Sequence, residues 1–176
     1  MKLLVVVDMQ KDFVDGSLGT KEAEAIVDGV AKEIGKKKYD KVYVTYDTHQ
    51  ADYLNTNEGK HLPVVHCVEE TEGWQLNEKV AKALAKREDV VYLRKPTFGS
   101  EELVKCVKED AAKEAIESIT LIGLCTDICV ISNALLLKAA FYETEINVIK
   151  DLCAGVTPET HEAALTTMKM CQIDIK

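Results

Sequence analysis

"KLLVVVDMQ", Lys2 to Gln10, decides how the rest of the chain is read. Five consecutive apolar residues, Leu3 to Val7, stop abruptly at Asp8. A run that short, valine-rich and without polar alternation, suits a strand buried on both faces, the kind found inside parallel sheets. Lys2 followed by an apolar run imitates a secretory signal, but the run ends too soon and no small-residue cleavage site follows. No apolar stretch reaches the length needed to cross a bilayer. The protein is therefore expected to be cytoplasmic and to have no membrane partner.

Outward from that strand, short β-branched runs alternate with longer amphipathic ones. Ala25, Ile26, Val30 and Ile34 recur at helical spacing over Lys21 to Gly35, and Gly35 is a natural stop. "KVYVTYD" (41–47) reads as a second strand, Leu76 to Lys86 as a helix and "VVYLRK" (90–95) as a third strand. A helix from about Ser100 precedes a fourth strand, "SITLIGL" (118–124), and a helix over Thr126 to Phe141 follows it. "EINVIKD" (145–151) is a fifth strand, and a helix opens at Pro158, a residue suited to a first helical turn. "CQIDIK" (171–176) can close the series as a short strand. This alternation predicts an α/β fold: a Rossmann-like, three-layer αβα domain with a mostly parallel sheet of about six strands. A single domain over residues 1–176 is expected.

With 176 residues, 47% of them hydrophobic, the chain can fill one sizeable core. Its 22 basic and 30 acidic side chains give a net charge of -8. That balance argues against nucleic acid and anionic lipid as partners and leaves small molecules. The six cysteines show no disulfide-scaffold spacing and are expected to be thiols.

In parallel α/β sheets, ligands bind beyond the carboxyl ends of the strands. Past the first strand comes Asp8; past the second, Asp47 and His49; past the third, Lys95; past the fourth, Cys125 and Cys129. In "GLCTDICV" (123–130), Cys129 falls in the first turn of a helix, where free N–H groups and the helix dipole favour a thiolate. An acid from the first strand could take the thiol proton and return it to a leaving amine. A lysine from the third strand could keep both charged. Most free cysteines, however, are small buried fillers, and position alone leaves the two readings even. Cys125 and Cys129 could share a helix face for a soft metal, but no second cysteine pair exists to complete a zinc site. A structural or backbone role suits Cys125 better.

The stretch "YDTHQADYLNTNEGKHLPVVHCVEETEGWQL" (46–76) reads as one long loop and holds His49, His61 and His66 with Asp47 and Glu58. Imidazole and carboxylate together suit zinc, iron or manganese better than calcium or magnesium. Composition alone better describes a solvated polar loop whose histidines do nothing special.

"VVDMQKDF" (6–13), "RKPTFGS" (94–100) and "GLCTDICV" together make the chain similar to the isochorismatase-like cysteine hydrolases, which include the nicotinamidases. The resemblance spans essentially the whole chain. It implies a catalytic triad of Asp8, Lys95 and Cys129, a cis peptide between Leu124 and Cys125, and an oxyanion hole from the backbone N–H groups of Cys125 and Cys129. It further implies metal ligation by Asp47, His49 and His66, with Glu58 as a fourth candidate, direct or through water, and His61 outside the set. Zinc is the expected metal, iron and manganese the alternatives. Phe13 matches a ring-stacking substrate contact. The aromatic expected three residues before His66 is replaced by Pro63, with Tyr53 and Trp74 as candidates to stand in. Nicotinamide hydrolysis is the implied reaction, another small amide or carbamoyl compound the alternative, a non-catalytic binding homologue a third. Relatives often assemble, so a homo-oligomer is expected. His161 reads as a helix-surface or packing residue.

Overall fold

A computed structural model describes residues Met1–Lys176. Its strands are β1 (Lys2–Val7), β2 (Lys41–Asp47), β3 (Val90–Lys95), β4 (Ser118–Leu124), β5 (Glu145–Ala154) and β6 (Asp174–Ile175). They form one six-stranded sheet in the order β3-β2-β1-β4-β5-β6, every pairing parallel. The expected three-layer α/β architecture is the one found. The helices are α1 (Lys11–Val14), α2 (Lys21–Ile34), α3 (Asn57–His61), α4 (Glu78–Leu84), α5 (Glu101–Ala111), α6 (Ile131–Ala140) and α7 (Pro158–Met170). None is long and apolar enough to cross a membrane.

The apolar run of β1 works as a double-sided wedge. Leu4 and Val6 pack into a core layer with Ile26, Val30 and Ile34 of α2 and with Val80 and Leu84 of α4. Leu3, Val5 and Val7 point to the opposite layer, against Leu103 and Val107 of α5, Leu137 of α6 and Met168 of α7. Alternate side chains of a strand face opposite ways, so a continuous apolar run is what a sandwiched central strand requires.

Local chemistry sets the helix starts. Thr20 accepts from the Ala23 amide to open α2, Ser100 accepts from Leu103 to open α5, and Thr157 and Thr160 form a reciprocal cap ahead of Pro158 on α7. Two predicted elements differ in detail. The helix expected over 76–86 is confined to Glu78–Leu84, because Asn77 caps it through the Lys79 amide. The helix expected over 126–141 begins as a π-helical turn, Thr126–Val130, and becomes α-helical only at Ile131. The polar stretch 46–76 also carries structure of its own, a 3₁₀ turn at Tyr53–Asn55 followed by α3.

The strand order reverses its direction of growth at β1 and β4, the topological switch point where such sheets hold ligands. There the two strands approach unusually closely. Gly123 has φ +116°, and a Cβ on it would lie 2.1 Å from the Val7 carbonyl oxygen. Only glycine satisfies both conditions.

Candidate active site

Asp8, Lys95 and Cys129 come from the ends of three different strands and meet at that switch point. Asp8 follows β1 with φ +45°, a conformation that turns it off the strand line; its amide donates to the Thr45 carbonyl at 3.2 Å, and Thr45 Oγ1 donates to Asp8 Oδ1 at 2.6 Å. Lys95 ends β3, and its Nζ lies 2.7 Å from Asp8 Oδ2 and 3.4 Å from Cys129 Sγ. The same ammonium donates to the Thr97 carbonyl at 3.0 Å. All three side chains are buried.

Burial pushes the Asp8 carboxyl up; the Lys95 charge opposes this, and Asp47 adds to it. Burial also tends to lower Lys95, but Asp8, Cys129 and Asp47 outweigh it and keep the ammonium charged. Cys129 is held well above its ordinary value, first by burial and then by Asp8, despite Lys95. Burial thus opposes the thiolate expected from a helix N-terminus, while Lys95 favours it; the helix end here is a π turn rather than an α-helical first turn.

The peptide between Leu124 and Cys125 is cis, as the resemblance implied. The Cys125 carbonyl accepts from Ile128 and Val130, whereas its own amide has no partner in the chain. Burial lifts the Cys125 thiol to about 12, so it is a neutral wall of the site.

The second cluster gathers Asp47, His49, Glu58 and His66, whose ligand-type atoms all lie within 4.8 Å of one another. Asp47 Oδ2 is 3.0 Å from His49 Nε2 and 3.4 Å from His66 Nε2, and Glu58 Oε1 is 3.6 and 3.7 Å from the same nitrogens. His66 Nδ1 is engaged with the Val64 carbonyl at 2.8 Å, which leaves Nε2 as the free face. Two imidazoles and two carboxylates fit a zinc-type cation. Burial pushes Asp47 up, but hydrogen bonds from His49 and His66 and the Lys95 charge hold its carboxyl far below the usual range. His61 stays outside, exposed and bonded through Nδ1 to the Asn57 carbonyl.

A long loop brings these residues together because its ends are pinned. The His49 amide donates to the Cys67 carbonyl, and the Glu69 amide donates back to His49, a parallel bridge that lays His66 beside His49. Three residues after Asp8 complete the anchoring. Gln10 grips Asp47 on both sides, accepting from its amide and donating to its carbonyl, each at 2.8 Å. Asp12 Oδ2 accepts from the Cys67 amide at 2.8 Å. Phe13 lines the cavity, its ring centroid 5.4 Å from that of His66.

Sequence reasoning missed Gln10 and Asp12, although both lie in the quoted "VVDMQKDF" at alternate positions with Asp8. It also missed Asn133, fully buried, whose amide group donates to the Cys129 and Phe98 carbonyls and accepts from Ser100. His161, expected as a helix-surface or packing residue, is half-buried and meets the buried Thr126 hydroxyl through Nδ1 at 2.8 Å, beside the turn that carries Cys129. Neither candidate replaces the aromatic absent at Pro63. Tyr53 is fully buried against His49 and His66, and Trp74 packs on Tyr46.

Both clusters open on one cavity of about 800 Å³, lined by Cys125 and Cys129 on one side and by Asp47, His49, Glu58 and His66 on another. A family model for the Isochorismatase domain matches residues 2–175. The nicotinamidase/pyrazinamidase of Mycobacterium tuberculosis is 25% identical over 190 residues, covering 99% of this chain and 98% of its own. Among solved structures, nicotinamidase/pyrazinamidase from Bacillus subtilis superposes with a TM-score of 0.83 at 26% identity, covering 99% of this chain and 98% of that one. The pyrazinamidase of Pyrococcus horikoshii, solved in complex with zinc, has a TM-score of 0.83 at 27% identity with the same coverage.

Proposed function

Because the chain belongs to the Isochorismatase domain family, we propose that it is a metal-containing cysteine amidohydrolase of nicotinamidase type, converting nicotinamide and water to nicotinate and ammonia. One observation carries the reading. Lys95 Nζ lies within 2.7 Å of the Asp8 carboxylate and 3.4 Å of the Cys129 sulfur, in a site whose cavity also bears a two-histidine, two-carboxylate cluster. A hydrolase using the triad alone would have no need of the second cluster.

In this reading Asp8, its affinity for a proton raised by burial, takes the proton from Cys129 as sulfur attacks the carboxamide carbon. Lys95 neutralises the charge that passes between them. The oxyanion that forms is met by the unpartnered amide of Cys125 and by that of Cys129. Asp8 returns the proton to the departing nitrogen, and ammonia leaves. Asp8 then takes a proton from water as it attacks the thioester, the carboxylic acid is released and the thiol is regenerated. Phe13 stacks on the ring. Asp47, His49, Glu58 and His66 would hold the divalent cation, zinc by its donor set, which when bound supplies a Lewis acid for a ring nitrogen or a water.

Ammonia release from nicotinamide, measured beside elemental analysis of the purified protein, tests the reading. Release with roughly one metal ion per chain is expected. Metal without release would overturn nicotinamide as the substrate, and release from a metal-free protein would overturn the role given to the second cluster.

A further inference from the structure

We infer that the site takes uncharged primary carboxamides whose ring carries an apolar extension, and that a single heteroaromatic ring underfills it. The chemistry rests on the amidohydrolase reading above; the substrate class rests on the cavity.

The first observation is electrostatic. No lysine or arginine lines the cavity, whose charged lining is Asp47 and Glu58 with three histidines. Lys95 lies behind the wall, 1% exposed, and is committed to Asp8, Asp47 and the Thr97 carbonyl. Asp47 and Glu58 carry the two negative charges that a divalent cation there would neutralise, leaving no surplus positive charge for a substituent. A carboxylate or phosphate on the substrate would give up water there without gaining a cationic partner. The amide must enter without such a group.

The second observation is one of size and shape. A single-ring carboxamide occupies on the order of 100–150 Å³ when packed at the density of a protein interior, against the roughly 800 Å³ of this cavity. Much of the lining around that surplus is apolar. Leu62, Phe98 and Val156 are 36%, 41% and 53% exposed and all line the cavity, with Leu18 and Ile128 further in. Leu62 follows α3, Phe98 lies between β3 and α5, and Val156 between β5 and α7, so three separate segments converge to make this collar. Isolated exposed apolar residues are ordinary; several around one mouth mark something that covers them. Because the collar is continuous with the cavity that reaches Cys129, the occupant it fits is the far part of the amide substrate.

The test compares three amides on the metal-loaded enzyme: nicotinamide, quinoline-3-carboxamide, and the monoamide of pyridine-3,5-dicarboxylic acid. Ammonia release gives kcat/KM for each. Binding is read separately, as the concentration that halves the rate at which iodoacetamide alkylates Cys129, followed by peptide mass. The fused-ring amide should exceed nicotinamide by about tenfold in both measures, and the acid amide should fall below it by about a hundredfold. Val156→Arg should recover about tenfold for the acid amide, and Leu62→Ser should erase the fused-ring advantage. A fused-ring amide that binds more weakly than nicotinamide, or an acid amide that binds as well, overturns the proposal. If no amide is turned over, the amidohydrolase reading fails while the protection ranking still decides the substrate class. Light scattering covers the remaining occupant. If Leu62→Ser converts an oligomer to a monomer and leaves the amide ranking intact, the collar belongs to a second copy and the proposal is overturned.

Discussion

Asp8, Lys95 and Cys129 each sit within a turn of the end of a parallel strand, whereas Asp47, His49, Glu58 and His66 are drawn from a strand end and a folded loop. The first group is placed by the sheet, whose register leaves its members little freedom. The second depends on a returning chain that must be fastened by Gln10 and Asp12. Sheet-built chemistry is robust to loop changes; loop-built chemistry needs a supporting shell of hydrogen bonds. The two halves should therefore fail differently when altered.

The largest effect is expected from Cys129→Ala, which removes the proposed nucleophile. Amide hydrolysis should drop by at least about ten-thousandfold, with bound metal and thermal midpoint unchanged. Retained turnover would break the comparison at its root. Next, Asp12→Ala should weaken metal affinity by about 10–100-fold, measured by competition with a chelator, while Cys129 alkylation by iodoacetamide proceeds at the native rate. Equal losses on both sides would mean that the halves are one cooperative unit. Thr126→Val, nearly isosteric, breaks the contact to His161 beside the nucleophile turn. It should lower kcat by about tenfold with KM held, because the turn presents the oxyanion donors. His161→Asn, which keeps an acceptor at the place of Nδ1, should restore most of it relative to His161→Leu; no difference between the two would remove the positioning role.

The smallest effect comes from the opposite end of the sheet and supplies the baseline. Burial pushes Asp110 up, but hydrogen bonds from Lys41 and Tyr43, both at 2.5 Å, leave its carboxyl below the ordinary value. A depressed folded pKa adds stability above the titration of the unfolded carboxyl, about pH 4, and that contribution is lost as pH falls through the lower folded value. Asp110→Asn should thus cost about 1–2 kcal/mol at neutral pH by urea unfolding. The deficit should shrink below about pH 4, with metal binding and alkylation unaffected throughout. A deficit that grows on acidification would reverse the sign of the argument.

Legibility in the sequence follows the same division. The valine-rich run of β1 and the acid after it announced a buried strand and its ligand-binding end, because burial on both faces leaves a continuous apolar signature. The chain's likeness to its relatives then pointed to Lys95 and Cys129. The loop residues stood out by composition, but only that likeness separated Asp47, His49, His66 and Glu58 from His61 and from a solvated polar loop, since nothing local shows that Cys67 returns to His49. Gln10 and Asp12 were in view but carried no period or spacing that separates a clamp from a solvated side chain. Asn133 and His161 sit in helical stretches where pattern reports which face is apolar and says nothing of a single long-range hydrogen bond. The π turn was invisible because a single turn at a helix start is too short to display a period of its own.

Strand β2 touches both halves. Thr45 holds Asp8, and Asp47, the next residue on the same face, holds the histidines. Thr45 and Asp47 therefore stand one pleat repeat apart, about 6.6 Å along a parallel strand. Such an offset is a ruler cut in backbone. Drift in the loop can loosen or retune the cation's cage, but it cannot slide that graduation, because moving it would require slipping the register of the whole sheet. The spacing of the two residues on which Asp8 and the histidines lean is a length that point mutation has almost no means to change.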